Sequence, residues 1–285
     1  MTFVLTDIDP VLAERLTDLD QRLRAAGSIL VAFSGGADSA FLLAAAARSL
    51  GSDRVVAATA VSASLPATEL ADAQAFATEL GIRHEAVDTD EMSRDGYRAN
   101  AGDRCYFCKA ELLDVLGPVA ERLGLASVAT GTNADDAIAG FRPGIRAAAE
   151  RGALTPLRDA GFTKAQVRAA SAAWGLRTWD KPAAACLSSR IAYGIEISPA
   201  RLARVEHAEA ALRSALRAAG IAVRNLRVRD LGDEGAKVEV DADLVEAVTA
   251  RPDLLAAVDG FQTVTVDPRG FRSGSMNDLL GVKYR

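Results

Sequence analysis

Ile29-Leu30-Val31-Ala32-Phe33-Ser34-Gly35-Gly36-Ala37-Asp38-Ser39-Ala40-Phe41-Leu42-Leu43 is the stretch on which the reading of this chain turns. Its first five residues form an apolar run too short for a core helix, which suits a buried parallel strand. The apolar face Phe41-Leu42-Leu43 then opens a helix. Between the two, a pair of glycines lets the backbone turn tightly and brings successive N–H groups toward one point, and the helix N-terminus adds partial positive charge. The result is a cradle for an anion. The loop has no lysine in the G-x-x-x-x-G-K-[ST] arrangement and lacks the G-x-G-x-x-G spacing, so neither a γ-phosphate transferase nor a dinucleotide enzyme is the first reading. The alternative is a plain turn with Asp38 or Ser39 as helix cap, but a cap needs only one polar residue and several small or polar residues are contiguous here.

The rhythm of that stretch recurs on either side of it. Val55 to Thr59 and Ser127 to Gly131 are further short apolar runs, and Ile82 to Val87 is a weaker fourth. Residues 39 to 50, 67 to 80 and 107 to 123 carry apolar positions at helical spacing between them. This alternation predicts an α/β fold, a parallel sheet with helices on both faces. From Gly152 to Ile197 the rhythm is broken by Pro156, Pro182 and Gly194 around one helix, Lys164 to Trp174, which suits active-site loops and a hinge. Beyond Pro199 come a long helix (201 to 219), strands at 223 to 229 and 236 to 240, a short helix and a strand at 263 to 266. That pattern predicts a smaller C-terminal α+β domain, dividing the chain into residues 1–198 and 199–285.

Composition agrees with an ordinary folded chain of more than one core, at 285 residues with 49% hydrophobic and 25% charged residues. A net charge of −5 is too acidic for a protein that coats nucleic acid. The longest apolar run, Ala40 to Ala47, is framed by Asp38 and Arg48 and falls far short of the roughly 18 to 20 residues that span a bilayer. Met1 to Asp7 lacks a positive region followed by an apolar one, so the expected location is the cytoplasm. Only five lysines (109, 164, 181, 237 and 283) stand against 28 arginines, a bias of coding rather than of function.

Two more stretches fall beyond the carboxyl ends of expected strands, where open parallel sheets bind ligands: Thr59 to Ser62, and Gly131-Thr132-Asn133-Ala134-Asp135-Asp136. Asp135 and Asp136 suit a magnesium ion on phosphates, since hard carboxylate oxygens fit it, with a solvated helix cap as the alternative. Cys105-Tyr106-Phe107-Cys108 lies between Arg104 and Lys109, and Cys186 precedes Leu187-Ser188-Ser189-Arg190. Three thiolates do not close a structural zinc site unless His84 or His207 joins them. They match a [4Fe-4S] cluster with one iron open, and three inert thiols are the bland alternative. The neighbours Arg104, Lys109 and Arg190 favour thiolates or a charged cluster. In Asn225-Leu226-Arg227-Val228-Arg229 the alternation of a strand puts both arginines on one face, where they suit a phosphate or carboxylate. Residues 201 to 229 hold seven arginines against two glutamates, and a solvated face remains open as their explanation.

S-G-G-x-D-S after a buried strand resembles the loop of the PP-loop ATPases, which transfer AMP to a substrate and release pyrophosphate. The resemblance implies that Ser34, Gly35, Gly36, Asp38 and Ser39 hold the ATP phosphates, with Thr59, Ser62, Gly131 and Asp135 in the same pocket. With Arg104-Cys105-Tyr106-Phe107-Cys108-Lys109, Arg142-Pro143-Gly144, Trp179-Asp180-Lys181-Pro182, Cys186-Leu187-Ser188-Ser189-Arg190, Tyr193-Gly194, Arg227-Val228-Arg229 and Gly270 to Asn277, the chain resembles one branch, the LarE family. These are ATP-dependent sulfur transferases that build a nickel-pincer nucleotide. The likeness runs from about residue 10 to the C-terminus and implies adenylation of a carboxylate of pyridinium-3,5-biscarboxylic acid mononucleotide, then conversion to a thiocarboxylate. It implies Cys186 as the catalytic sulfur carrier, with Arg190, Arg227 and Arg229 binding the substrate. It implies also a [4Fe-4S] cluster on Cys105, Cys108 and Cys186 in place of a sacrificed Cys186, ATP and magnesium as cofactors, and a homo-oligomer without nucleic-acid or membrane partners. A PP-loop tRNA thiolase and a non-catalytic sensor of adenine nucleotide are the competing readings.

Overall fold

The computed structural model describes residues 9–138, 142–182, 185–272 and 274–279. Met1 to Ile8, Ala183 and Ala184 before Cys186, Ser273 in the C-terminal turn and the side chain of Asn277 lie outside the described residues.

The chain opens with α1 (Pro10–Ala26), a helix the strand–helix rhythm does not announce. Proline in its first turn and Asp9, whose side chain accepts from the Val11 N–H at 3.1 Å, start it, and Gly27 at φ 75° ends it. β1 (Ile29–Ala32), α2 (Ala37–Leu50), β2 (Val55–Val61), α3 (Ala67–Glu79) and β3 (Arg83–Asp88) follow. Then come the short α4 (Asp95–Arg98), the long α5 (Arg104–Arg122), β4 (Ser127–Thr130), α6 (Ala134–Ile138), α7 (Pro143–Glu150), α8 (Pro156–Asp159) and α9 (Lys164–Ala173). The four strands form one parallel sheet in the order β3-β2-β1-β4, with Ile29 level with both Val55 and Ser127.

β1 is central and buried on both sides, which explains its continuous apolar run. Ile29 and Val31 join one core with Leu19 and Leu23 of α1, Phe41 to Leu43 of α2, Phe76 of α3 and Val167 of α9. Leu30 and Ala32 face the other way, onto Leu116, Val119 and Ala120 of α5. The sheet therefore carries helices on both faces, as the alternation predicts. Each large side chain so buried contributes about 1.5 to 3 kcal/mol. Because β1 is flanked by β2 on one side and β4 on the other, the connections diverge at this point, and the loops leaving β1 and β4 border the crevice that such a switch opens.

The second sheet contains β5 (Leu226–Asp230) and β6 (Ala236–Val240), which are antiparallel, and β7 (Val264–Val266), parallel to β6. It packs on α10 (Pro199–Ala218), whose first turn is capped by Ser198 and whose Ala208, Leu212 and Leu216 meet Leu226, Val228, Val238 and Val240. Two short helices, α11 (Val245–Thr249) and α12 (Pro252–Leu255), complete this core.

The chain condenses into two compact units that are not consecutive lengths of sequence. The first holds residues through Ser62, Ala67–Glu91 and Cys105–Ala184; the second holds Ala63–Pro66, Met92–Arg104 and Ala185 onward. A cut at 198 and 199 misses those two excursions, because their ties to the second unit lie far off in sequence. Leu187 N–H donates to the Ser64 carbonyl at 2.9 Å, and Asn100 is fully buried, its Nδ2 donating to the Ala192 and Ile195 carbonyls at 2.8 and 2.9 Å.

One ion cluster inside the second unit is open to a direct test. Asp230 is fully buried and accepts from Arg201 at 2.8 and 3.0 Å, from Arg204 at 2.8 Å and from the Gly232 N–H at 2.9 Å. Asp230→Ala leaves both guanidiniums without their counter-charge, and removal of one partner of a buried pair costs about 3 to 5 kcal/mol. Urea unfolding should show a loss of that size, and a change under about 1 kcal/mol would mean the cluster is solvated in effect.

Candidate active site

Two sets of residues stand out, one in each unit. In the first unit, Ser34, Gly35 and Gly36 carry the chain from β1 into α2. Gly35 adopts φ 69°, a conformation that requires glycine, and Gly36 is the N-cap residue without any side-chain capping bond. Neither Asp38 nor Ser39 serves as the cap, so the plain capped turn does not describe this loop. Ser39 Oγ donates to the Gly36 carbonyl at 3.1 Å, which leaves the Ser34 hydroxyl to donate to Ser39 Oγ, also at 3.1 Å. These bonds fix the loop's shape, and no side chain caps the N–H groups of the helix start, an arrangement that suits an anion.

Gly131, at the end of β4, lies against that helix start. A Cβ there would stand 2.7 Å from Ser39 N and 2.9 Å from Ser39 Cα, so backbone meets backbone and only glycine fits. Asp38 is mostly buried. Its Oδ2 pairs with Lys164 Nζ, and its Oδ1 is buried with no hydrogen-bond partner. A buried orphan oxygen on a carboxylate is costly and calls for a donor or a cation that is not part of the chain. Asp135 spends one oxygen on the Lys164 N–H at 2.7 Å, supporting the start of α9. Asn133 is the cap of α6, its side chain accepting from the Asp136 N–H at 3.1 Å, while the Asp136 carboxylate accepts in return from the Asn133 N–H at 3.3 Å.

Lys164 and Lys181 also stand at this loop, although no motif assigns either of them to the phosphates. Lys181 Nζ lies 3.8 Å from where a Gly35 Cβ would stand and is held by Glu69 at 2.7 Å and Asp72 at 3.7 Å. Two of the five lysines in an arginine-rich chain thus flank the loop, and that scarcity was the available signal. At the end of β2, Thr59 Oγ1 donates to the Phe33 carbonyl at 2.8 Å, so its partner His84 Nε2, also at 2.8 Å, carries the hydrogen. Burial lowers the His84 pKa, against a smaller opposing pull from Glu85, and keeps the ring neutral near pH 7. Ser62 Oγ donates at 2.6 Å to Glu91, a buried carboxylate also unannounced by any motif.

Cys105 and Cys108 occupy the first turn of α5, exposed and half-buried respectively. Gly144 packs on this helix, the site of its absent Cβ lying 3.4 Å from the Cys105 carbonyl and 3.7 Å from Lys109 Cβ. Burial lowers the Lys109 pKa and the Cys108 sulfur raises it in part.

In the second unit, Cys186 is half-buried at the head of a short 3₁₀ turn, Leu187–Arg190. Arg190 is buried and forks onto Glu209 at 2.9 and 3.0 Å, while its Nη1 donates to the Cys186 carbonyl at 3.0 Å and to that of Ala185. Arg190 therefore braces the cysteine loop through its backbone. Arg227 and Arg229 share one face of β5, opposite Glu239 and Lys237 of β6. Arg229 is committed to Glu239 at 2.7 Å, to Ser275 Oγ at 3.1 Å and to the Ser189 carbonyl at 3.1 Å. Arg227 lies against the Phe271 ring, its centroid 5.3 Å away, and burial together with the charges of Arg190, Arg229 and Arg213 pulls its pKa down to about 10 despite Glu209. A guanidinium so destabilised is relieved by an anion.

Among the described residues no group of three His, Cys, Asp or Glu side chains is gathered to hold a metal ion, and no helix is long and apolar enough to cross a membrane. The strand–glycine loop–helix site on a parallel sheet is that of a PP-loop enzyme, and the NAD synthase family profile matches residues 12–104. An uncharacterised protein of Synechocystis sp. is 42% identical over 275 residues, which is 95% of this chain and 99% of that one. The pyridinium-3,5-bisthiocarboxylic acid mononucleotide synthase of Lactiplantibacillus plantarum is 34% identical over 272 residues, 94% of this chain and 96% of that enzyme. An uncharacterised protein of Methanocaldococcus jannaschii is 29% identical over 176 residues, 61% of this chain and 66% of that one. The chain belongs to the LarE family of PP-loop enzymes.

Two outcomes follow from this geometry. Gly131→Ala drives a methyl group into the backbone of Ser39, so it should cost about 1 to 3 kcal/mol of stability and abolish ATP binding by equilibrium dialysis. Unchanged binding would show that the helix start is not the phosphate site. His84 has a folded pKa below its unfolded value, so as pH falls through about 6.5 the unfolded chain takes up the proton first and stability drops. Chemical denaturation from pH 7.5 to 5.5 should show a smaller loss in His84→Asn than in the unmodified chain, and parallel curves would exclude the histidine as the source.

Proposed function

We propose that this chain is an ATP-dependent sulfurtransferase that adenylates a carboxylate of pyridinium-3,5-biscarboxylic acid mononucleotide and replaces a carboxylate oxygen with sulfur. The observation that carries this reading is the uncapped helix start under Gly35 and Gly36, with the orphaned Asp38 Oδ1 beside it. Ser34, Gly35, Gly36, Ser39 and Gly131 are the proposed contacts of the ATP phosphates, with Lys164 and Lys181 as their cations. Thr59 and Ser62 lie at the end of β2, in the proposed nucleotide pocket. A magnesium ion suits Asp38 Oδ1 and the free oxygen of Asp135, both hard donors, and would neutralise phosphate charge there.

The chemistry explains why one chain carries both sets. A carboxylate oxygen of the substrate attacks the α-phosphorus of ATP, and pyrophosphate leaves with the electron pair of the broken P–O bond. A sulfur nucleophile then attacks the activated carbonyl carbon, and AMP departs carrying the former carboxylate oxygen, so one C–O bond is exchanged for one C–S bond. Cys186 is proposed to serve the sulfur step as a ligand of the sulfide-bearing group described below, so that the attacking sulfur leaves as part of the thiocarboxylate. Arg227 is the proposed principal contact of the substrate phosphate, supported by its lowered pKa, with Arg229 and Arg190 shaping the ground it stands on. The synthase name of the L. plantarum relative, which places sulfur on both carboxyls of such a nucleotide, supports the substrate class.

A [4Fe-4S] cluster on Cys105, Cys108 and Cys186 is proposed as the sulfur-bearing group, and when bound it supplies an iron open to added sulfide. Its support is the donor set, three cysteines outside any disulfide, of which two stand one turn apart. Geometry adds nothing to that support, because no three metal-ligating side chains gather among the described residues. Assembly as a homo-oligomer belongs to the same proposal and rests on the family resemblance alone.

With the pyridinium dicarboxylate mononucleotide and ATP, the products should be AMP and pyrophosphate, and Asp38→Ala should suppress both; ADP and free phosphate would overturn the reading. Replacing each cysteine in turn with serine separates the sulfur sources. Equal loss of iron, sulfide and turnover in all three variants supports the cluster. Loss in Cys186→Ser alone, with the spent protein lighter by one hydrogen sulfide at residue 186, overturns it in favour of a sacrificed cysteine.

A further inference from the structure

The arginine excess of residues 201 to 229 is only partly absorbed by the site above. Arg201 and Arg204 are committed to Asp230, and Arg229 to Glu239. Arg213 and Arg217 pair with no carboxylate among the described residues, and Arg213 donates only to the Val223 carbonyl at 3.3 Å. They stand one turn apart on α10, where like charges at this spacing repel. With Arg224 they line a concavity of about 410 Å³ whose remaining wall is Ile221, Ala222 and Val223. Asp241, the acid that faces Arg224, is already taken by the N–H groups of Arg224 and Asn225 and by the Asn225 amide.

We propose that this concavity is a second anion site, one that takes a phosphorylated small molecule with its phosphate between Arg213 and Arg217 and its apolar body against Ile221 and Val223. The planar guanidinium fork matches phosphate oxygens two at a time, and Arg213 and Arg217 bring two such forks to the lining of one concavity. The volume is within the range of small-molecule sites. The apolar wall discriminates against a bare polyanion, as does the net charge of −5 on the whole chain. The site is separate from Arg227, which is buried against Phe271, yet the charge of Arg213 reaches Arg227. An anion on Arg213 therefore also reduces the repulsion felt at Arg227.

Phenylglyoxal modification of the full chain, mapped residue by residue by mass spectrometry, locates the anion without reference to catalysis. Phenyl phosphate should protect Arg213 and Arg217 at a concentration about tenfold below that needed with inorganic phosphate, the ring adding its contact with the apolar wall. Sodium chloride at equal ionic strength should not protect. Arg217→Gln should weaken phenyl phosphate protection of Arg213 about tenfold, as expected for loss of one of two charge-assisted partners. Arg227→Ala should leave the protection of both arginines intact. Equal protection by chloride, protection by bulk tRNA alone, or its disappearance in Arg227→Ala would each overturn the second site while leaving the proposed sulfur chemistry untouched.

Discussion

Backbone packed on backbone at Gly131 and Ser39 is the contact on which the first site depends. No side chain fits between them, so the ends of β4 and β1 are brought together at the point where the sheet's connections diverge. That approach sets where the first turn of α2 begins, and a helix start without a cap is a fixed positive end that needs no flexible side chain to create it. Gly35 at φ 69° turns the chain into this helix, and the hydroxyls of Ser34 and Ser39 tie the turn to itself. A rigid, uncapped helix start is a poor element of stability and a good anion site, which is the usual exchange at functional loops.

Charge on the two units is arranged on different principles. Around α2 the cations are lysines, each held by carboxylates: Lys164 by Asp38, Lys181 by Glu69 and Asp72. An ammonium is a compact charge that swings on a flexible stem, so such ions can exchange a carboxylate for a phosphate without repacking. In the second unit the cations are arginines in fixed forks, with Arg190 on Glu209 and Arg229 on Glu239. These planar pairs hold backbone in place. Glu209 also accepts the Val228 N–H at 3.0 Å, so one carboxylate secures both the cysteine turn and the outer edge of β5.

Much of this was legible in the residues. The parallel sheet followed from short apolar runs, since a strand buried on both faces reads that way, and the alternation in β5 placed Arg227 and Arg229 on one face as the register bears out. Helix α1 was not read because it precedes the first strand and its buried stripe is only Leu12, Leu19 and Leu23. The partners of the motif residues were not legible either. Lys164 meets Asp38 across 126 positions, and Tyr97 meets Ser188 across 91; no local pattern encodes such pairings. Composition is a poor guide in one respect, because the scarcity of lysine reads as a coding bias and yet two of the five flank the glycine loop. For the cysteines, residue type suggests a ligand set that the described side chains do not assemble.

Asn100 shows why the second unit must draw on chain from outside its main length. It is fully buried with φ 49°, a left-handed conformation uncommon for a non-glycine residue. Its Nδ2 faces the carbonyls of Ile191, Ala192 and Ile195, and its Oδ1 accepts from Arg104, which also donates to the Ser188 carbonyl at 3.0 Å. Tyr97 completes the grip through the Ser188 hydroxyl. The segment that follows Cys186 touches the sheet only at the single bridge of Ile191 to Asp230 among the described residues, so with little ladder pairing it would otherwise sample many shapes. A side chain that faces three of those carbonyls holds one shape: the two amide hydrogens serve Ala192 and Ile195 at 2.8 and 2.9 Å, one of them shared with Ile191 at 3.3 Å, and the amide oxygen accepts in the same plane. The left-handed backbone at Asn100 is thus offset by the order it imposes on Ile191 to Ile195, the stretch that follows the Cys186 turn.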